Sequence, residues 1–281
     1  MAITSDRGRL VALSHVVAWQ EVGGYQLPAD VRAAVDVHRA AQALTVPEPP
    51  PLRHLGDVAS HAVDVLAAGQ AVDPVKMAAN MEAARDLAAR LDTARSLVGL
   101  AVESAAGRAV AAATDACDRV IVEHLQPAYV DVLARARTIA PALRGCDLSE
   151  GGWTATAGVR EAQGALTALS DRHRLLREAR NAIVGLAGQE PEHDTAGQFV
   201  LLRAPHALVP GYAANRPLPR PAIPADPVAA LLWLVTEGEP AAPWLPTTSE
   251  QDDAWLAVFG KAEEQRRAAS VAARAWAGAP V

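Results

Sequence analysis

Eight histidines (His15, His38, His54, His61, His124, His173, His193 and His206) and two cysteines (Cys117 and Cys146) have the widest chemical range in this 281-residue chain. A zinc-type site needs Cys or His in close pairs such as C-x-x-C or H-x-x-x-H, and no such pair occurs. Glu190-Pro191-Glu192-His193 has the E-x-x-H spacing of helical di-metal centres, which draw one copy from each of two helices. Only one copy is present, and Pro191 breaks the helix it would need. His61 and Asp64, three apart, read as surface polar residues. His173 falls on a packing stripe and reads as a partly buried, satisfied histidine. Nucleophile elbows, Walker-type loops and G-x-G-x-x-G turns are absent. No catalytic residue, cofactor-binding residue or metal ligand is assigned, no cofactor is called for, and the chain reads as a non-enzyme.

Arg172, Arg174, Arg177 and Arg180 form the one local basic cluster, the place where a nucleic acid or phosphate would be held. Folding the chain back sets Asp118, Glu123 and Asp131 roughly opposite, so interhelical pairing is the expected role. Pro221-Ala222-Ile223-Pro224, flanked by Arg216 and Arg220, has the form of a polyproline docking ligand and is read as a spacer. Trp233, Trp244, Trp255 and Trp276 put most large aromatics near the end of the chain. They are expected to form a small core or, because tryptophan concentrates interface energy, a partner contact.

Those residues need elements to position them. Hydrophobic residues make up 51% of the chain but aromatics only 4%, so the apolar content is mostly Ala, Val and Leu. Ala and Leu are good helix formers, and an all-α fold is expected. Lys76 and Lys261 are the only lysines among 26 basic residues, a usage that with the alanine excess suggests a GC-rich, actinobacterial genome. The net charge of −6 argues against a dedicated nucleic-acid binder. No run of 18 apolar residues suggests a membrane span, and Met1 to Arg7 do not resemble a secretory leader. Along a helix, Cys117 and Cys146 would lie about 40 Å apart, too far to bridge, which fits reduced thiols in a cytoplasmic, or virion, protein.

The chain divides by pattern into four parts. Residues 1–72 read as a small helical subdomain. Asp73-Pro74 is a helix start, with Asp as N-cap and Pro in the first turn, and residues 73–188 read as one long, elongated, coiled-coil-like helical hairpin. Its bend is Gly145 to Trp153, and Pro127 is expected to kink its first arm. The return arm steps by three and four through Val159, Ala162, Leu166, Leu169, His173, Leu176, Arg180, Ile183 and Ala187. Residues 189–227 read as a Pro-rich extended arm. A C-terminal helical module, 228–281, is opened by a capping box at Thr248-Ser249-Glu250-Gln251.

The return arm is too short to cover residues 74–111. Their stripe, which includes Leu87, Leu91 and Val98, is left for the N-terminal helices or for another chain. With the tryptophans, these residues are the expected partner contacts. The function expected is structural or assembly work through helix–helix and arm contacts, by self-association or a protein partner. The setting envisaged is the virion or capsid assembly of a phage or prophage. A regulatory module binding a protein or nucleic acid through Arg172 to Arg180, and an uncharacterised helical enzyme, are the alternatives. No small-molecule substrate and no membrane partner are identified.

Overall fold

The computed structural model describes residues 6–49, 54–144, 156–193, 195–209, 212 and 221–261. The bend at 145–153 with Cys146, and Trp276, Arg216 and Arg220, lie outside them. The fold is all-α, with no strand among the described residues. Its α-helices are α1 (Asp6–Ala18), α2 (Gln20–Gly23), α3 (Ala29–Gln42), α4 (Leu55–Ala67), α5 (Pro74–Asp115), α6 (Cys117–Arg119), α7 (Gln126–Ile139), α8 (Ala157–Ala187), α9 (Pro227–Val235) and α10 (248–261). Packing groups the residues differently from composition. One unit holds residues 1–32 with 110–281, the other residues 33–109, and α3 and α5 run from one into the other.

In the first unit α8 is central. It packs against α1 and α2 as well as α7 and α9, so the return arm sits inside a helical bundle and does not pair with the first arm alone. Leu166, Leu169, Leu176, Ile183 and Arg180 of the expected stripe are buried, and so are Ser170, Ala179, Val184 and Leu186, which lie off it. With Ala179 and Leu186 buried as well, α8 is covered over a wider arc than the stripe. Contacts from Thr114 to the Leu186 carbonyl, Cys117 to the Ile183 carbonyl, Tyr129 to His173 and Asp131 to Arg172 run in opposite chain directions. α8 therefore lies antiparallel to the 114–143 stretch.

Pro127 acts as expected in place but not in kind. It has no N–H for the Glu123 carbonyl, and its ring needs that carbonyl to move away. The chain answers by widening into a π-helical stretch, Val120–Leu125, with the Gln126 N–H donating to the Ile121 carbonyl, and the helix then continues. Gly24 ends α2 in the left-handed conformation. Gly24 has φ 66°, and a Cβ there would collide with the Arg172 guanidinium, so glycine is needed twice over.

The Pro-rich stretch does not stand away as an arm where it is described. Pro205 and Tyr212 are buried, Ile223 packs on Leu202, Leu234 and Ala241, and α9 packs on α7 and α8. The run from Gln198 to Arg203, which has strand character in the sequence, makes a single antiparallel bridge from Leu202 to Pro243. On either side of it the Arg203 N–H donates to the Ala242 carbonyl and the Trp244 N–H to the Leu201 carbonyl. The capping box lies one residue earlier than expected. The Thr247 N–H donates to Glu250, and the Glu250 N–H donates to the Thr247 hydroxyl. Gln251 is thereby left free to turn inward.

In the second unit, Asp73 accepts from the Val75 and Lys76 N–H groups and so caps α5 as expected. The covered line on α5 includes Ala88, Leu91, Ala94, Val98, Val102, Ala105 and Ala109. Leu87 is not on it and is 47% exposed. Arg95 donates to the Pro47 carbonyl, which ties the segment after α3 to the middle of α5.

Candidate functional site

Two places gather the residues singled out above. The first is the polar interior of the bundle. Arg172 lies between the Gly23 carbonyl, 2.9 Å from Nε, and Asp131, 2.9 Å from Nη1. Asp131 also receives Arg135. Arg174 pairs with Asp171 and Glu178, which together raise its pKa, and Arg177 donates to the Val200 carbonyl. Arg180 is 5% exposed. Its Nε donates to the Pro246 carbonyl at 2.8 Å, Nη1 to Asn181, and Nη2 to the Gln251 side-chain carbonyl. Burial, then the neighbouring Arg177 cation, pulls Arg180 down to about 10. Each arginine of the cluster is thus engaged within the chain. Of the acids expected opposite, Asp131 takes part, whereas Asp118 and Glu123 form no ion pair among the described residues.

The Tyr129 hydroxyl stands 3.3 Å from His173 Nε2 beneath this layer. Burial pushes the phenol pKa up. Burial, with Arg177 beside it, pulls His173 down to about 3 from its ordinary 6.5. An unfolded chain therefore takes up a proton at His173 near pH 6.5, and the folded chain does not until about pH 3. The stability this contributes is full above pH 6.5 and is lost as pH falls through that window. The expected slope is at most about 1.4 kcal/mol per pH unit. Urea unfolding between pH 7 and pH 5 should show it, and His173→Gln should flatten it; an equal slope in the variant would contradict the assignment.

Cys117 is buried and free, with Sγ facing the Ile183 carbonyl and Gln189. Burial, then Asp118, pushes its thiol up to about 11. In native protein at mildly alkaline pH it is expected to resist a thiol reagent and to react on denaturation. Reaction at the rate of an open thiol would contradict that placement.

The remaining motifs also have local roles. His193 stacks on Trp255 with ring centroids 3.8 Å apart, and the Glu192 and His193 N–H groups donate to Asp252. The E-x-x-H segment is thus engaged as a helix-docking loop. No group of three or more His, Cys, Asp or Glu is placed to hold a metal ion among the described residues. Trp255 is 6% exposed and sits in a cluster with Phe199, Tyr212 and Phe259, which makes it core and leaves it no face for a partner. Trp233 and Trp244 are half-buried, the latter donating to the Phe199 carbonyl.

The second place lies in residues 33–109. α4 has no buried residue although only Asp57, Ser60, His61 and Asp64 are polar along it. Those four fall on one narrow strip, at spacings of three and four. A helix apolar on nearly every other side is normally enclosed; here Leu55 is 72%, Val63 63% and Leu66 59% exposed. On α5, Val75 is 78% exposed, and Leu87, Leu97 and Leu100 are also exposed. Leu91 and Val98 are half-covered. Between the two helices lies a cleft of about 580 Å³ lined by Val58, Ala62, Val65, Met77 and Met81 and also by His61, Asp73, Lys76, Asn80 and Arg85. α5 is also long and apolar enough to cross a membrane by length and composition, with mean hydropathy 1.2 over 18 residues of which 22% are buried.

Of the expected stripe on α5, Leu91 and Val98 lie on the covered line and Leu87 does not. A line drawn through the bulky Leu87 is about 100° from one through Ala88, and the small residue is the covered one. Comparisons of the chain with protein-family models, with curated proteins and with solved structures found no match.

Proposed function

We propose that this chain is a non-enzymatic assembly protein that acts through helix contacts made by residues 54–109. The observation that carries this reading is α4, apolar on all sides but one, without a buried residue, beside a cleft lined by apolar and polar side chains alike. Contiguous exposed apolar surface of this kind marks contact sites on soluble proteins. Half-buried Leu91 and Val98 and exposed Leu87 lie farther along the neighbouring helix α5. A phage or prophage of a GC-rich actinobacterium is part of the proposal as its genomic setting, which rests on residue usage and general character.

In native extract of its host, the chain should migrate well above monomer mass. Val63→Glu with Leu66→Glu, at two exposed positions, should return it to monomer mass. Wild-type protein at monomer mass in that extract would overturn the reading.

A further inference from the structure

One face of α10 lines a cleft beside the bridged segment. Gln251, Trp255 and Phe259 turn into the core and are buried. Glu250, Asp253, Ala254, Ala257 and Val258 recur at spacings of three and four. With Arg203, His206 and Trp244 they enclose about 270 Å³. That is just under the roughly 300–1,000 Å³ of sites for drug-sized ligands, so the fitting occupant is a smaller molecule.

The walls are held in place without drawing on the Arg203 and Asp253 charges. The Arg203 N–H donates to the Ala242 carbonyl, and the Trp244 indole N–H donates to the Phe199 carbonyl at 2.6 Å. The Arg203 guanidinium lies over the Trp244 ring, 5.4 Å from its centroid. A guanidinium on an aromatic face keeps its in-plane N–H donors for an anion. Glu250 is engaged by the Thr247 N–H and by Gln126. Asp253 is exposed and, like Arg203, forms no ion pair among the described residues.

One cation and one uncommitted carboxylate therefore line the same cleft without pairing, beside an indole ring and the apolar Ala254 and Val258. A purely apolar occupant would leave both charges unmatched. A simple anion or cation would suit one and oppose the other. A zwitterion with a short apolar side chain matches both charges and the apolar wall.

We propose that this cleft binds a free apolar α-amino acid. Arg203 donates to its carboxylate, Asp253 accepts from its ammonium, and its side chain lies against Trp244 and Val258. The site uses no residue of 54–109, so it and the assembly reading stand or fall separately.

The test is protein NMR titration of the purified full chain with three probes: L-leucine, L-leucinamide, which lacks the carboxylate, and 4-methylpentanoate, which lacks the ammonium. L-Leucine should bind with a Kd of about 1 mM or below, and each analogue about tenfold or more weakly. Arg203→Gln should remove the advantage of L-leucine over L-leucinamide and keep that over 4-methylpentanoate. Asp253→Asn should do the reverse. Both side chains are exposed, and equal far-UV circular dichroism would show that each variant is folded. No binding of L-leucine at about 10 mM would overturn the proposal. So would analogues that bind as tightly as L-leucine, or variants that leave its preference unchanged.

Discussion

Leu166→Ala should lower the unfolding free energy by about 2–4 kcal/mol, because the side chain is fully enclosed and its loss leaves a cavity that rigid neighbours fill only in part. Leu166 has 0% exposure. It lies on α8, which packs on α7 where Val132, Leu133 and Ala136 are buried. The helices on either side are themselves held by other packing, so collapse into the space is limited. Urea denaturation gives the number directly. A loss under about 0.5 kcal/mol, the usual range of a surface substitution, would mean that α8 does not sit where it is described.

Arg180→Ala should cost roughly 3 kcal/mol, from two buried acceptors left without a donor and from lost packing. The acceptors are the Pro246 carbonyl and the Gln251 side chain. Gln126 on α7 holds the same segment through the Leu245 carbonyl and Glu250. With Arg180 gone, residues 245–255 should become the first site of limited proteolysis, ahead of α8. Arg180→Lys should rescue only in part, since one ammonium cannot reproduce the fork that reaches both acceptors. A stable Arg180→Ala protein, with 245–255 still resistant, would show that the arginine is carried passively.

Local pattern made some of this legible. The three-and-four stepping of α8 marked a helix with a buried stripe, and Asp73-Pro74 marked the start of α5. The placing of Asp131 opposite the arginine cluster followed from folding the chain back. Other features have no local signature. Nothing near Arg180 announces Gln251, 71 residues away. α1 spreads Leu10, Val11, Ala12, Leu13, Val16 and Val17 around its circumference, so its packing on α8 could not be read as a face. Arg119 pairs with Asp30 across the fold, lowering the Asp30 pKa, and not with Asp115 four residues back. The tryptophans were conspicuous by type, but type alone cannot separate buried Trp255 from half-exposed Trp233. The cleft beside α4 was missed for a related reason. Val58, Ala62, Val65 and Leu66 share one side of the helix in the sequence, and only the structure shows that this side lacks full cover.

Hydrogen exchange of α4 tests the central claim most directly, because protection there reports whether its own chain covers it. In dilute monomer the amides of 55–67 should exchange orders of magnitude faster than those of 166–184. They should slow when the chain enters its assembly, while 166–184 stay unchanged. Residues 55–67 as protected as 166–184 in the dilute monomer would contradict the account, for the apolar face would then already be covered.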